Sequence, residues 1–180
     1  MMYFITGNRH KYEEVKKIIG PGITMRTVPY PEIQAETLEE VATYGINYLK
    51  DRVDGAFFIE DSGLFIEVLN GFPGVFSAYV FRAIGNEGIL KILQGEENRK
   101  ARFMSVMGYY DGEIHLFTGV CEGTIAHEIR GKRGFGYDPI FIPKGDNRTF
   151  AEMVTEEKNR YSHRGKSALM LKKYLEEKER

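Results

Sequence analysis

The chain has 180 residues, 25 Lys and Arg against 26 Asp and Glu for a formal charge of −1, and 42% hydrophobic against 28% charged residues. That length suits one domain, read as 1–180 with two lobes, which folds without a metal or disulfide staple. The near-neutral charge argues against coating a nucleic acid. No apolar run reaches the roughly 20 residues of a membrane span, one cysteine (Cys121) excludes a disulfide framework, and no charged leader precedes an apolar run, so a cytoplasmic protein is expected.

Residues 2–6 form a short apolar run ending in Gly7-Asn8, a strand meeting a turn. Tyr12, Val15, Ile18 and Ile19 predict a helix over 9–19 that Gly20-Pro21 ends, and 23–28 reads as a strand. Thr37 and Glu40 fit a capping box. Leu38, Val41, Ala42, Ile46 and Leu49 behind it predict a helix to about residue 51. Residues 56–60 and 64–69 read as strands around Asp61-Ser62-Gly63, and Asn86 as the cap of a short helix containing Ile89, Leu90, Ile92 and Leu93. Segments 102–110 and 113–122 flank Asp111-Gly112, a strong hairpin signal because both turn positions tolerate positive φ. A Gly-rich loop at 131–139, a strand at 140–142 and a closing helix on Ala168, Leu171 and Leu175 complete the chain. Met104, Met107, Met153 and Met170 read as core filling and Cys121 as a packed hairpin residue, while His10, His115 and His127 lack metal-ligand spacing. Helices and strands alternating around an antiparallel hairpin predict an α/β fold with a mixed sheet.

Four segments carry chemistry. Thr6, Gly7, Asn8, Arg9, His10 and Lys11 sit at a strand-helix join, where free amides and the positive end of the helix dipole favour anions; the plain alternative is a capped turn with Lys11 in water. Glu60-Asp61-Ser62-Gly63 puts adjacent carboxylates between apolar strands, which suits a divalent cation or an acidic surface turn, and Glu36 is a further acid for the same ion. Phe135-Gly136-Tyr137-Asp138-Pro139 offers rings for stacking on a flat base and a carboxylate for ring N–H groups, unless an aromatic there only anchors the loop. Lys158-Asn159-Arg160-Tyr161-Ser162-His163-Arg164 supplies cations and donors beside Ser162, a natural N-cap.

Taken together, these segments resemble the inosine triphosphate pyrophosphatase (Ham1-like) family. Its pattern is T-G-N-x-x-K, an acid before a helix, D/E-D-S-G-L, F-G-Y/W-D-P and K-N-x-x-S-H-R, and Pro73-Gly74 with Ser77-Ala78 matches a further stretch. Two positions depart from it: Gly45 stands where many bacterial members carry a lysine, and Tyr137 where some carry Trp. The resemblance implies a long twisted sheet with two lobes around a central cleft, and a homodimer. It also implies Mg²⁺-dependent cleavage of ITP, dITP and XTP to the monophosphate and pyrophosphate. On that reading Thr6–Lys11 and Lys158 hold the triphosphate, and Asp61 with Glu36 or Glu60 holds Mg²⁺. Asp61 activates water with Lys11 beside it; Ser62 and Phe135–Asp138 bind substrate; His163 and Arg164 donate to the six-oxo group of the purine. Rejection of adenine by such donors reaches roughly 10⁴-fold. The rival from another class is a non-catalytic purine nucleotide sensor.

Overall fold

The computed structural model describes residues 2–178 and 180. They form a six-stranded mixed sheet in the order β2-β1-β3-β4-β5-β6. β1 (Met2–Ile5) pairs in parallel with β2 (Ile23–Arg26) and β3 (Phe57–Ile66); β4 (Lys100–Tyr110), β5 (Ile114–Ile125) and β6 (Phe141–Pro143) continue antiparallel. The helices are α1 (Arg9–Ile19), α2 (Leu38–Leu49), α3 (Ser77–Ile92), α4 (Thr155–Tyr161) and α5 (His163–Lys178).

Local chemistry sets the ends of α1 and α2. Asn8 Oδ1 accepts from the Lys11 amide at 3.1 Å, and Gly20, at φ 104°, ends α1. Thr37 and Glu40 form the capping box of α2. The hairpin signal is also realised, β4 and β5 pairing from Lys100–Thr124 to Tyr110–Ile114.

Several expectations change. The break at 61–63 is absent: β3 runs unbroken and pairs with β4 along its whole length, because β4 supplies ladder partners for Asp61, Ser62 and Gly63. The short helix expected from residue 86 is present as the second arm of α3, which a kink at Gly85 (φ 63°) divides, but Asn86 does not cap it: its side chain donates to the Gly136 carbonyl. Lys158 belongs to a separate short helix, α4, and Ser162 then caps α5, its Oγ accepting from the Gly165 amide at 2.9 Å. Met107 and Met153 are core residues, whereas Met170 is exposed.

The core is divided by the sheet. Phe4, Val15, Phe58, Met107, Ala168 and Leu171 pack α1 and α5 on one face. Ile5, Ile46, Leu49, Phe57 and Ile59 pack α2 on the other. A third cluster, around Leu64, Phe103, Phe141 and Phe150, fills the end near β6. β3 runs between these clusters and carries its acids at their junction.

Candidate active site

A cavity of ≈ 710 Å³ collects most of the predicted residues. Thr6, Gly7, Asn8, His10 and Lys11 line it from the β1–α1 turn, Glu60, Asp61 and Ser62 from β3, Phe135–Asp138 from the Gly-rich loop, and His163 and Arg164 from the start of α5. A larger hollow of ≈ 890 Å³, beside Lys100, Arg102 and Lys144, holds none of them. Arg9 points elsewhere: it is exposed and 3.6 Å from Glu13. The turn and the acids meet through Lys11, whose Nζ lies 2.8 Å from Glu60 Oε2 and 3.3 Å from the Glu60 carbonyl oxygen.

The adjacent carboxylates have different environments. Glu60 is fully buried, 3.2 Å from Arg164 Nε, and accepts from Ser105 Oγ at 2.7 Å. Burial works to raise its pKa, but Arg164 and Lys11 outweigh it and hold the carboxyl well below the usual range. It is therefore a committed ion-pair partner rather than a free metal ligand. Asp61 has a buried Oδ2 without a hydrogen-bond partner. Burial pushes its pKa up to about 6; Lys11 opposes this, and the charges of Glu60 and Glu32 add to it. Glu36 does not join this group. It is exposed ahead of α2, its amide spent on Glu40, and Glu32 lines the cavity in its stead. No group of three or more His, Cys, Asp or Glu placed to hold a metal occurs among the described residues. An orphaned carboxylate oxygen in a cavity that a second acid, Glu32, also lines nonetheless fits a hard divalent cation that takes its remaining ligands from phosphates and water.

The aromatic loop divides its roles. Tyr137 is an anchor: it is buried, its Oη donates to the Ser77 carbonyl at 2.6 Å, and its ring meets Phe81 edge-on. Phe135 is the ring that faces the cavity, stacked on His10 with centroids 5.2 Å apart. Asp138 accepts from the Phe135 amide at 3.0 Å and from Lys158 Nζ at 2.7 Å. Burial raises the Asp138 pKa against the pull of Lys158.

Lys158 is only 2% exposed and stands behind the cavity wall, its Nζ 2.5 Å from Glu14 Oε1 as well as bonded to Asp138. Arg164 donates to Glu14 at 2.7 Å and to Ser62 Oγ at 2.9 Å. His163 stacks on Phe103 at 4.5 Å, and its Nδ1 is buried without a partner. Burial, then the Arg164 charge, lowers its pKa well below the usual histidine value, so the ring is neutral. Arg164 and His163 are thus one cation and one neutral ring rather than a pair of charges.

Three members of this assembly went unread in the sequence. Glu14, one turn from Lys11 and beside Val15 and Ile18, is an acid on the buried stripe of α1, and that pattern was available. Glu32 and Ser105 had no local signal. At Gly45 an added Cβ would stand 2.7 Å from Ile59 Cδ1 and 3.1 Å from the Tyr30 ring, so packing leaves no room for a side chain there and α2 gives the cavity no cation from that position.

Fold and cavity together define an α/β protein with a cleft for a phosphorylated, flat-ringed compound: free amides and a lysine on the β1–α1 turn, acids on β3, and an aromatic loop whose Phe135 stacks on His10 of that turn. A family model described as the Ham1 family matches residues 2–174, and the chain belongs to that family. It is 59% identical over 177 residues to the dITP/XTP pyrophosphatase of Thermococcus kodakarensis, covering 97% of this chain and 96% of that one. It is 56% identical over 170 residues to the protein of the same name from Pyrococcus horikoshii, covering 92% and 91%. Among solved structures, the Ham1 protein of Staphylococcus aureus superposes with a TM-score of 0.85 at 28% identity and a HAM1 protein of Coxiella burnetii with 0.84 at 32%, each covering 98% of both chains.

Proposed function

We propose that the chain hydrolyses deaminated purine nucleoside triphosphates (ITP, dITP and XTP) to the monophosphate and pyrophosphate, removing them from the nucleotide pool. The observation that carries this reading is the convergence on one cavity of the β1–α1 turn with Lys11, the β3 acids Glu60 and Asp61, and Phe135, with Lys11 2.8 Å from Glu60. The names of the relatives above point the same way.

The triphosphate binds along the Thr6–Lys11 turn, where the free amides of α1 and Lys11 neutralise it. Asp61 and Glu32 hold a divalent cation, read as Mg²⁺, which supplies charge neutralisation at the phosphates. Asp61 also fixes the attacking water by accepting its proton. Phe135 stacks on the base. The six-oxo oxygen accepts from donors at the start of α5, His163 and Arg164, with Arg164 fixed by Glu14 and Ser62. An adenine amino group there meets donors, leaving buried groups unpaired. The one domain works in the cytoplasm as a homodimer; exposed Phe72 and Phe76, on the segment leading into α3, and Tyr79, in its first turn, give the apolar surface for pairing.

The test is product analysis with ITP, XTP, dITP, ATP and GTP, with Mg²⁺ and after chelation. Monophosphate and pyrophosphate from the first three, lost on chelation, are expected. Release of orthophosphate, or tight binding without turnover, overturns the reading. Sedimentation at increasing concentration reads the dimer.

A further inference from the structure

The cavity presents an electrostatic problem for an anionic substrate. Its lining holds four acids, Glu32, Glu60, Asp61 and Asp138, against three cations, Lys11, Arg82 and Arg164. Lys11 is paired with Glu60, and Arg164 with Glu14 and Glu60. Arg82, exposed on α3, is the one lining cation with no carboxylate within ion-pair distance among the described residues. A triphosphate brings about four negative charges into this space, and α2 contributes no cation at Gly45.

The mount of Arg82 is rigid. Five residues earlier, Ser77 Oγ accepts from the Leu64 amide at 2.8 Å and donates to the Gly74 carbonyl, tying the start of α3 to β3 two residues beyond Ser62. Phe81, next to Arg82, packs edge-on against Tyr137, and Asn86, past the kink at Gly85, donates to the Gly136 carbonyl, so both arms of α3 are tied to the aromatic loop. Ala78, one turn before Arg82, also lines the cavity and is too small to fill it. A fixed backbone with a free planar fork at the mouth suits bidentate capture of phosphate oxygens.

We propose that Arg82 is a substrate-binding residue that clamps the phosphate chain of the incoming nucleotide across the cavity from Lys11. This rests on the reading of the site as a nucleoside triphosphate pyrophosphatase. It adds a phosphate contact from α3, a helix to which none of the sequence signals assigned a role.

The wild type is first assayed for ITP cleavage, and inorganic tripolyphosphate with Mg²⁺ is titrated in parallel by calorimetry. Arg82→Gln is expected to lower kcat/KM for ITP about 10- to 100-fold, the size of a lost charge-assisted contact, and to weaken tripolyphosphate binding by a similar factor. Affinity for inosine is expected to stay within about twofold, because the base contacts lie elsewhere. Arg82→Lys should recover part of the loss, and Lys91→Gln, at the exposed end of α3, should change nothing. Unchanged ITP kinetics and tripolyphosphate binding in Arg82→Gln, or an equal loss of inosine binding, overturns the clamp. An inactive wild type would overturn the pyrophosphatase reading alone, since tripolyphosphate binding still tests Arg82. The side chain is exposed and makes no ion pair, so an unchanged melting temperature is expected to accompany the kinetic loss.

Discussion

At the scale of single residues, neighbours in sequence have opposite chemistry. Glu60 and Asp61 are adjacent carboxylates, yet one is neutralised by two cations and the other is left with an orphaned oxygen. Asp61→Asn keeps the shape and removes the charge; it is expected to lower kcat for ITP at least about 10³-fold while the melting temperature holds or rises, since the ionised carboxylate is costly where it lies. Near-normal kcat would remove Asp61 from the chemistry. His163 makes a second prediction. Its folded pKa lies well below its unfolded value. The unfolded chain therefore binds more protons below pH 6.5, and the stability that His163 contributes is present above that pH and lost as pH falls through it, by up to about 1.4 kcal/mol per pH unit. Asp61, raised to about 6, works the other way, beginning near pH 7 and continuing as pH falls toward 4. Between pH 7.5 and 6 the two oppose each other, so the histidine is read by difference: urea unfolding of the wild type should lose stability relative to His163→Gln as pH falls through that window. Parallel curves would mean that the ring is charged or solvated in the folded protein. The types of these residues were legible from their motifs. Their charge states were not, because a carboxylate's pKa depends on which distant cations face it.

At the scale of elements, local signals governed the ends and long-range pairing governed the middle. The caps at Asn8, Thr37 and Ser162 and the Asp111-Gly112 hairpin are written in short stretches, and all four form. The turn expected at 61–63 came from polar residues that normally interrupt strands; β4 overrides that preference by pairing with them throughout. Close approaches between elements left only faint marks, as glycines. On β5, a Cβ added at Gly119 would strike the His163 carbonyl and the Ser167 amide, so β5 and the first turn of α5 touch backbone to backbone. Gly119→Ala is expected to cost about 3 kcal/mol, the upper end of overpacking. Because the displaced turn carries His163 and Arg164, the ITP-to-ATP preference should narrow as well. A melting temperature and preference like those of the wild type would refute the contact. Glu32 marks the limit of this kind of reading, since it reaches the cavity from an irregular segment with no periodicity.

At the scale of the whole molecule, the site is held by a chain of alternating charges: Asp138, Lys158, Glu14, Arg164, Glu60 and Lys11. These six come from the aromatic loop, α4, α1, α5 and β3, and their charges cancel. Lys158, expected from the sequence to hold phosphate, is therefore a strut behind the cavity wall, for its ammonium already satisfies two buried acids. Lys158→Met keeps most of the apolar stem and removes the charge, leaving Glu14 and Asp138 facing each other without a cation between them. Breaking one partner of a buried network in this way costs about 3–5 kcal/mol. The pH dependence follows in sign. Without the lysine, the folded pKa values of both acids rise, so the deficit is full near pH 7 and shrinks as pH falls through those raised values. Adding Asp138→Asn removes one of the stranded charges, so the double variant should be more stable than Lys158→Met alone, with a coupling energy well above the few tenths of a kcal/mol seen for independent sites. Urea unfolding of the four proteins of the cycle, at pH 7 and pH 5, measures both effects. Strictly additive costs would mean that the six charges are separate pairs; strong coupling would mean that the β1–α1 turn and the aromatic loop are positioned by one electrostatic unit.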